Sequence, residues 1–104
     1  MRLDEKMNEF IRKQRELRQN STLPLKDIRV LDLSTVVAAP FAAMFLGDFG
    51  AEVIKIENPS IPDATRGWGV HKDGTQPWWL VYARNKLPIT LNLRELEPNF
   101  PPNL

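Results

Sequence analysis

The stretch from Ile28 to Glu57 limits the fold of this chain more than any other part of its sequence. It begins with IRVLDL, which has the density of Ile, Val and Leu expected of a strand covered on both faces. The segment PFAAMFLGDF follows, with a proline suited to the first turn of a helix and with Gly50 suited to its end. The stretch closes with EVIKIE, which is rich in β-branched residues. Two strands joined by a helix predict a parallel pair with a right-handed crossover.

A long loop and a third strand complete the predicted fold. The loop Asn58–Pro77 is rich in proline and glycine, and WWLVYARNK after it is a short helix or an extended segment. Residues 88–93, PITLNL, alternate apolar and polar side chains as a strand does. We therefore predict an α/β fold, a small Rossmann-like βαβ unit with a short parallel sheet and an added N-terminal amphipathic helix.

The two ends of the chain are predicted to lie outside this core. Leu3, Met7, Phe10, Ile11 and Leu17 recur mainly at steps of three and four, which indicates an amphipathic helix that packs on the domain or on a partner. A membrane-binding helix is the alternative, but acidic residues are interspersed along it. Near the other end, three prolines occur where a second crossover helix would be expected. The predicted parts are a helical extension and linker over residues 1–22, the core over 23–94 and a proline-rich tail over 95–104.

Composition excludes several classes of function. The net charge of +1 gives no general field that would attract nucleic acid or a membrane surface, so neither is expected as a partner. The absence of cysteine excludes a disulfide scaffold and a thiolate nucleophile, and the single histidine leaves no histidine-cluster metal site. The N-terminus is too charged for a signal peptide, and a cytoplasmic location is expected.

Dinucleotide binding is the first function that the βαβ layout suggests. Glu57 ends the second strand about 20 residues after the first turn, where such a unit keeps its ribose-binding acid. The turn itself, STVVAAP, has no glycine, and its Cβ atoms would keep the backbone away from a pyrophosphate. An NAD-binding half-Rossmann unit is therefore the weakest of the hypotheses.

Cationic and aromatic side chains near the loops are further binding candidates. Open α/β sheets bind ligands beyond the carboxyl ends of their strands, and Arg and Lys bind phosphates there. Each cation taken alone can equally be a solvated surface residue, and each ring can equally fill a core. The spacing of the carboxylates marks none of them as a nucleophile or a general base. The candidates are Arg66, Arg84, Lys86 and Arg94 for phosphates, and Trp68, Trp78 and Trp79 for stacking.

Three blocks of sequence carry a resemblance to a known family. RVLDLS…AAPFAA, GAEVIKIE and NK…ITLNL, in that order and spacing, resemble the N-terminal segment of the family III CoA-transferases (CaiB/BaiF), over roughly residues 23–94. The resemblance implies a coenzyme A thioester as substrate and no covalently bound cofactor. It also offers a reason for the glycine-free loop, which in this family contacts CoA rather than a dinucleotide pyrophosphate.

The resemblance also implies a set of CoA-binding positions. Val37 and Ala38 correspond to the loop that contacts CoA, and Arg94 is expected to bind a phosphate. Asn58 stands where formyl-CoA transferases have an arginine and where the carnitine type has asparagine. The implied residues are Val37, Ala38, Asn58, Arg66, Leu91, Asn92, Leu93 and Arg94.

No catalytic residue and no metal ligand is assigned. Family members use an aspartate further along the chain, which attacks the acyl-CoA thioester, and no residue here corresponds to it. The leading hypothesis is the CoA-binding N-terminal part of a transferase that moves CoA from an acyl-CoA to a carboxylic acid, truncated and inactive alone. The alternative is a non-catalytic interaction module that assembles with a full-length transferase subunit. The family resemblance implies a homodimer for the full-length protein.

Overall fold

The computed structural model describes residues 2–94, in which helices and strands alternate. The predicted proline-rich tail therefore lies outside the described residues. The helices are α1 (Leu3–Gln19), α2 (Ala38–Asp48) and α3 (Pro77–Ala83), the strands are β1 (Arg29–Asp32), β2 (Glu52–Glu57) and β3 (Lys86–Thr90), and a 3₁₀ turn spans Ala64–Gly67.

The three strands form one parallel sheet with β2 in the middle. Helix α2 packs on one face, where Ala43 meets Ala51 and Val53 in the core, and Leu25 and Val30 pack around them. The predicted α/β class, the short parallel sheet and the added N-terminal helix are confirmed. The parallel register brings the carboxyl ends of all three strands to the same edge.

Strand β1 differs from its prediction, which covered residues 28–33 and assumed burial on both faces. Val30 and Asp32 lie on the side of α2, whereas Arg29 and Leu31 lie on the opposite side because side chains alternate along a strand. Leu31 is 57% exposed, since no helix between residues 2 and 94 covers that part of the sheet. The prediction from the apolar density of the sequence was therefore wrong on this point, because β1 is buried on only one face.

The helix and the strand after the long loop also differ from the prediction in their boundaries. The ambiguous segment WWLVYARNK forms α3 over its first part and then turns at Asn85, which has a φ of 57°. Strand β3 pairs from Lys86, opposite Val53, and ends at Thr90 rather than at residue 93. The amide of Leu91 still donates to the carbonyl of Glu57 (2.9 Å), so the segment after the strand stays beside the sheet.

Helix α1 covers the predicted range, but none of its side chains is buried. The apolar stripe was expected to pack on the domain or on a partner, and within this chain it is exposed at Leu3, Met7, Phe10 and Leu17. The helix is attached instead through its arginines at the amino end of the sheet. No helix between residues 2 and 94 is long and apolar enough to cross a membrane.

Replacement of Gly50 by alanine tests how tightly the end of α2 is fixed. Gly50 has a φ of +107°, and a Cβ there would lie 2.7 Å from Cβ of Leu23. We expect Gly50→Ala to lower the free energy of unfolding by about 1–3 kcal/mol, measured by urea denaturation. Gly67→Ala is the matched control, because a Cβ there meets nothing within 4 Å, and it should change the value by less than about 0.5 kcal/mol. Equal effects of the two substitutions would contradict this account.

Candidate functional site

A cleft of about 210 Å³ opens at the carboxyl ends of the strands. This is the edge at which open α/β sheets bind ligands. One wall is the segment after β1, with Ser34 and Thr35, and the floor includes Lys55 of β2. The other wall is the segment after β3, from Leu91 to Arg94. We call this space the carboxyl-edge cleft.

Five of the eight predicted CoA-binding residues lie at this cleft. Asn58, Leu91, Leu93 and Arg94 line it. The side-chain oxygen of Asn92 accepts hydrogen bonds from Nδ2 of Asn58 (3.2 Å) and from the backbone N–H of Arg94 (3.2 Å). These bonds hold the segment after β3 against the loop after β2. The structure thus brings together residues that are more than thirty positions apart in the sequence.

The other three predicted residues lie beside the cleft. Val37 and Ala38 form the start of α2, and the carboxyl-edge cleft is lined by Ser34 and Thr35 of the same loop instead. Arg66 lines a neighbouring cleft of about 500 Å³, which shares Asn58 with the first.

The loop after β1 has an unusual backbone. Val36 has a φ of 71°, in the left-handed region that β-branched residues rarely adopt. The start of the loop is fixed by Asp32, which accepts hydrogen bonds from the amide (3.1 Å) and the hydroxyl of Ser34. Backbone strain of this kind concentrates at ligand sites, where the surroundings enforce it.

Beneath the cleft, four buried charged side chains form a network that joins all three strands. Nζ of Lys55 lies 3.2 Å from Oδ2 of Asp63 and 3.7 Å from Oδ1 of Asp32, and it donates to the carbonyl of Ser34. Nζ of Lys86 donates to Oδ2 of Asp32 (2.8 Å). All four charged side chains are at most 4% exposed. Two cations and two carboxylates balance, so the network is neutral as a whole.

The network keeps its carboxylates ionised. Burial acts to raise the pKa of Asp32, but hydrogen bonds from Lys86 and Ser34 and the charges of both lysines outweigh it, so the pKa lies below its ordinary value. Burial likewise opposes ionisation of Asp63, and hydrogen bonds from Thr65 together with Lys55 lower its pKa. Both groups therefore act as fixed anions at neutral pH.

Glu57, the residue considered for ribose binding, accepts hydrogen bonds within the chain at both of its carboxylate oxygens. Its carboxylate accepts from Nε (2.9 Å) and Nη2 (2.7 Å) of Arg66 and from the amide of Asp63 (3.1 Å). The hydrogen bonds from Arg66 lower its pKa, outweighing burial. The guanidinium of Arg66 also lies 3.9 Å from the ring centre of Trp79. Glu57 thus positions Arg66, and both of its carboxylate oxygens already accept hydrogen bonds within the chain.

The structure separates the predicted cations by their partners. Arg84 pairs with Asp48 (2.6 Å) on the surface, and Lys86 belongs to the buried network. Arg94 lines the cleft and has no ion-pair partner among residues 2–94. In the same part of the chain, no group of three or more His, Cys, Asp or Glu side chains is placed to hold a metal ion.

The buried network is not among the features predicted from the sequence. The only local signal was Lys55, a charged residue inside the otherwise apolar core of EVIKIE.

Replacement of Asp32 by asparagine tests the network. The change leaves two buried ammonium groups with one carboxylate, and loss of one partner of a buried pair costs about 3–5 kcal/mol of unfolding free energy. We expect Asp32→Asn to lower the free energy of unfolding by an amount in this range, measured by urea denaturation at pH 7. Asp48→Asn is the matched control, because its pair with Arg84 lies on the surface and should matter little.

The same network predicts loss of stability in acid. Asp32, Asp63 and Glu57 have pKa values below their ordinary range when folded, so the unfolded chain binds protons more readily. Stability should be constant from pH 7 to about 5 and should fall as the pH drops through about 4 and below. Asp32→Asn should reduce this dependence, and an unchanged acid transition would contradict the proposed role of Asp32.

Proteins of established activity that are similar to this chain are CoA-transferases. It is 50% identical over 80 residues to succinyl-CoA–D-citramalate CoA-transferase of Chloroflexus aurantiacus, covering 76% of this chain and 20% of that protein. It is 47% identical over 77 residues to human succinyl-CoA:glutarate CoA-transferase, covering 73% of this chain and 18% of that protein. The chain thus spans about one fifth of the length of these curated relatives.

Solved structures and a family model agree with these relatives. A CaiB/BaiF family protein from Brucella suis matches with a TM-score of 0.62 and 33% identity, over 71% of this chain and 21% of that chain. A Mycobacterium tuberculosis protein matches with a TM-score of 0.59 and 37% identity, over 70% of this chain and 20% of that chain. The model of CoA-transferase family III, whose members use CoA thioesters as substrates, matches residues 25–98. The chain belongs to CoA-transferase family III.

Proposed function

We propose that this chain forms part of the CoA-binding site of a transferase that moves CoA between carboxylic acids. The observation that carries the proposal is the carboxyl-edge cleft, where Asn58, Leu91, Leu93 and Arg94 come together. Its volume of about 210 Å³ lies below the roughly 300–1,000 Å³ of pockets that enclose a drug-sized ligand. The cleft therefore holds one end of CoA, and we assign to it the nucleotide end.

The charges at the cleft support a phosphate ligand. Lys55, Glu57 and Asp63 also line it, but each is compensated by a partner within the chain. Arg94 is the lining cation that lacks such a partner among the described residues. CoA carries a 3′-phosphate and a pyrophosphate, and a guanidinium binds phosphate oxygens through two parallel hydrogen bonds.

None of the three buried carboxylates at or beneath the carboxyl-edge cleft suits the role of nucleophile. Asp32 and Glu57 accept hydrogen bonds at both oxygens and each have a cation beside them. Asp63 accepts two hydrogen bonds from Thr65 at Oδ1, and its Oδ2 lies 3.2 Å from the ammonium group of Lys55. The attack on a thioester by a carboxylate is the step on which the family depends. We therefore propose that the 104-residue chain by itself binds CoA weakly and does not turn over.

The relatives suggest which acids exchange CoA. Their names pair succinyl-CoA with D-citramalate, L-malate or glutarate. Succinate and all three partners are dicarboxylic acids. We propose that this chain likewise serves exchange of CoA between dicarboxylates.

A second candidate function is assembly, as a non-catalytic module, with a full-length transferase subunit. Leu31 of β1 and Leu33 just after it are both more than half exposed, and so are Leu3 and Leu17 of the apolar stripe of α1. One relative, the L-malate transferase of Chloroflexus aurantiacus, is described by separate α and β subunits. Exposed sheet surface of this kind favours association.

Amide spectra of the ¹⁵N-labelled chain test CoA binding directly. We expect CoA and adenosine 3′,5′-bisphosphate to shift the resonances of Asn58, Asn92 and Arg94, because these residues line or close the cleft. Pantetheine, which lacks the nucleotide, and NADH should leave them in place. Arg94→Gln should weaken CoA binding about tenfold, as expected for loss of a charge-assisted hydrogen bond.

Arg84→Gln is the matched control for this experiment, since it removes the same charge from a surface pair outside the cleft. Its affinity for CoA should equal that of the unmodified chain. Stronger shifts with NADH than with CoA would overturn the proposal. CoA-induced shifts confined to residues outside the cleft would overturn the site.

The assembly proposal needs a separate measurement. The tagged chain, recovered from its source cells, should carry a family III transferase subunit that mass spectrometry identifies. Leu31→Asp should reduce its recovery, because charge would then face the partner's apolar surface, and Leu33 is left unchanged because it lines the carboxyl-edge cleft. Recovery of the tagged chain without any family III subunit would count against this function.

A further inference from the structure

A second charged cluster lies at the amino end of the sheet, away from the carboxyl-edge cleft. The buried carboxylate of Glu52 accepts from Nε of Arg15 (3.0 Å) and from Nε of Arg29 (2.5 Å). Nη1 of Arg18 lies 3.9 Å from the same carboxylate. Helix α1 and strand β1 thus direct three guanidinium groups to one acid. They border a cleft of about 380 Å³, which we call the α1 cleft.

The α1 cleft has more positive than negative charge. Arg15, Arg18, Arg29 and Lys26 line it, against the carboxylates of Glu52 and Asp27, so its walls carry a net charge of +2. Arg15 and Arg29 bind Glu52 through Nε, which leaves their Nη groups for another acceptor. The positive charge of the cluster is therefore only partly balanced by carboxylates of the chain.

Arg18 adds a second, independent sign of a missing acceptor. Its side chain is 12% exposed, and its Nη1 is buried with no hydrogen-bond partner among the described residues. Its Nη2 reaches only Oδ1 of Asn85, at 3.4 Å. A buried donor without an acceptor is costly, and native structures normally supply one, from the protein, from water or from an ion.

We infer that the α1 cleft binds a small oxyanion, a carboxylate or a phosphate. Its oxygens supply the acceptor for Nη1 of Arg18 and bridge the Nη groups of Arg15 and Arg29, since guanidinium groups bind both kinds of anion in a fork geometry. Glu52 is the positioning residue that holds the arginines in place. The cleft is large enough for phosphate or a short dicarboxylate.

The ligand also fixes helix α1. No side chain of α1 is buried, so its attachment depends on the polar contacts of Arg15 and Arg18. An anion that joins these residues to Arg29 of β1 holds the helix to the sheet. Helix α1 precedes residue 25, where the family match begins, and the two clefts share no lining residue. The site is therefore independent of the proposed CoA site.

Thermal unfolding of the full chain tests the inference, in sodium phosphate, sodium succinate and sodium chloride at pH 7 and equal ionic strength. We expect phosphate, succinate or both to raise the midpoint above its value in chloride, because a ligand of the folded state stabilises it. The part of the rise that Arg15→Gln abolishes belongs to the α1 cleft, because the carboxyl-edge cleft and the general effect of the salt remain in that variant. If this part is larger with phosphate, a phosphate group is the preferred ligand, and if it is larger with succinate, a carboxylate is preferred.

Variants on α1 and β1 give the controls. Arg15→Gln and Arg29→Gln should each weaken anion binding about tenfold, and the second does not alter α1. Arg12→Gln is the matched control, because Arg12 lies on the same helix, pairs with Glu16 (2.6 Å) and is outside the cleft. The Nε–H resonances of Arg15 and Arg18 should shift with the anion in the unmodified chain and in Arg12→Gln. Equal midpoints in all three salts, or the same anion response in Arg15→Gln as in Arg12→Gln, would overturn the site.

Discussion

The geometry of the carboxyl-edge cleft depends on the ion pairs of the buried Lys55 ammonium group with Asp32 and Asp63. Lys55 lies in the middle strand, and an uncompensated charge there would cost several kcal/mol. Asp32 of β1 and Asp63 of the loop after β2 therefore approach it, and the ammonium group donates a hydrogen bond to the carbonyl of Ser34. The loops after β1 and β2 are drawn to one place, and the cleft is the space between them.

The chain keeps its excess positive charge at two opposite ends of the sheet. At the carboxyl edge, internal pairing neutralises Lys55 and Arg66 and leaves Arg94 at the rim. At the amino end, Glu52 gathers three arginines and compensates only part of their charge. A net charge of +1 for the whole chain conceals this distribution. Net charge describes only the general field of the chain, whereas a local anion site depends on which carboxylate each cation meets.

The parts of the fold that could be predicted are those that local pattern determines. Strand β2 was predicted to the residue, because β-branched side chains follow a glycine whose positive φ ends α2. The exposure of Leu31 could not be predicted, since it depends on what covers the far face of the sheet. The buried network could not be predicted either. Asp32 meets Lys55 only through the parallel register, and spacing along the chain carries no trace of that contact.

The glycine-free loop and the position of Arg94 have one physical explanation. A glycine-rich turn presents backbone N–H groups to a phosphate, and it can do so because no Cβ stands in the way. Here the loop carries Val36 in a strained conformation, and the carboxylate of Asp32 takes up the amide of Ser34 that a phosphate would otherwise use. Phosphate recognition must then come from a side chain. Under the proposed function Arg94 provides it, since this residue lines the cleft and its backbone N–H donates to the side-chain oxygen of Asn92 on the same segment. A CoA site of the proposed kind needs no glycine motif, which agrees with the glycine-free loop STVVAAP.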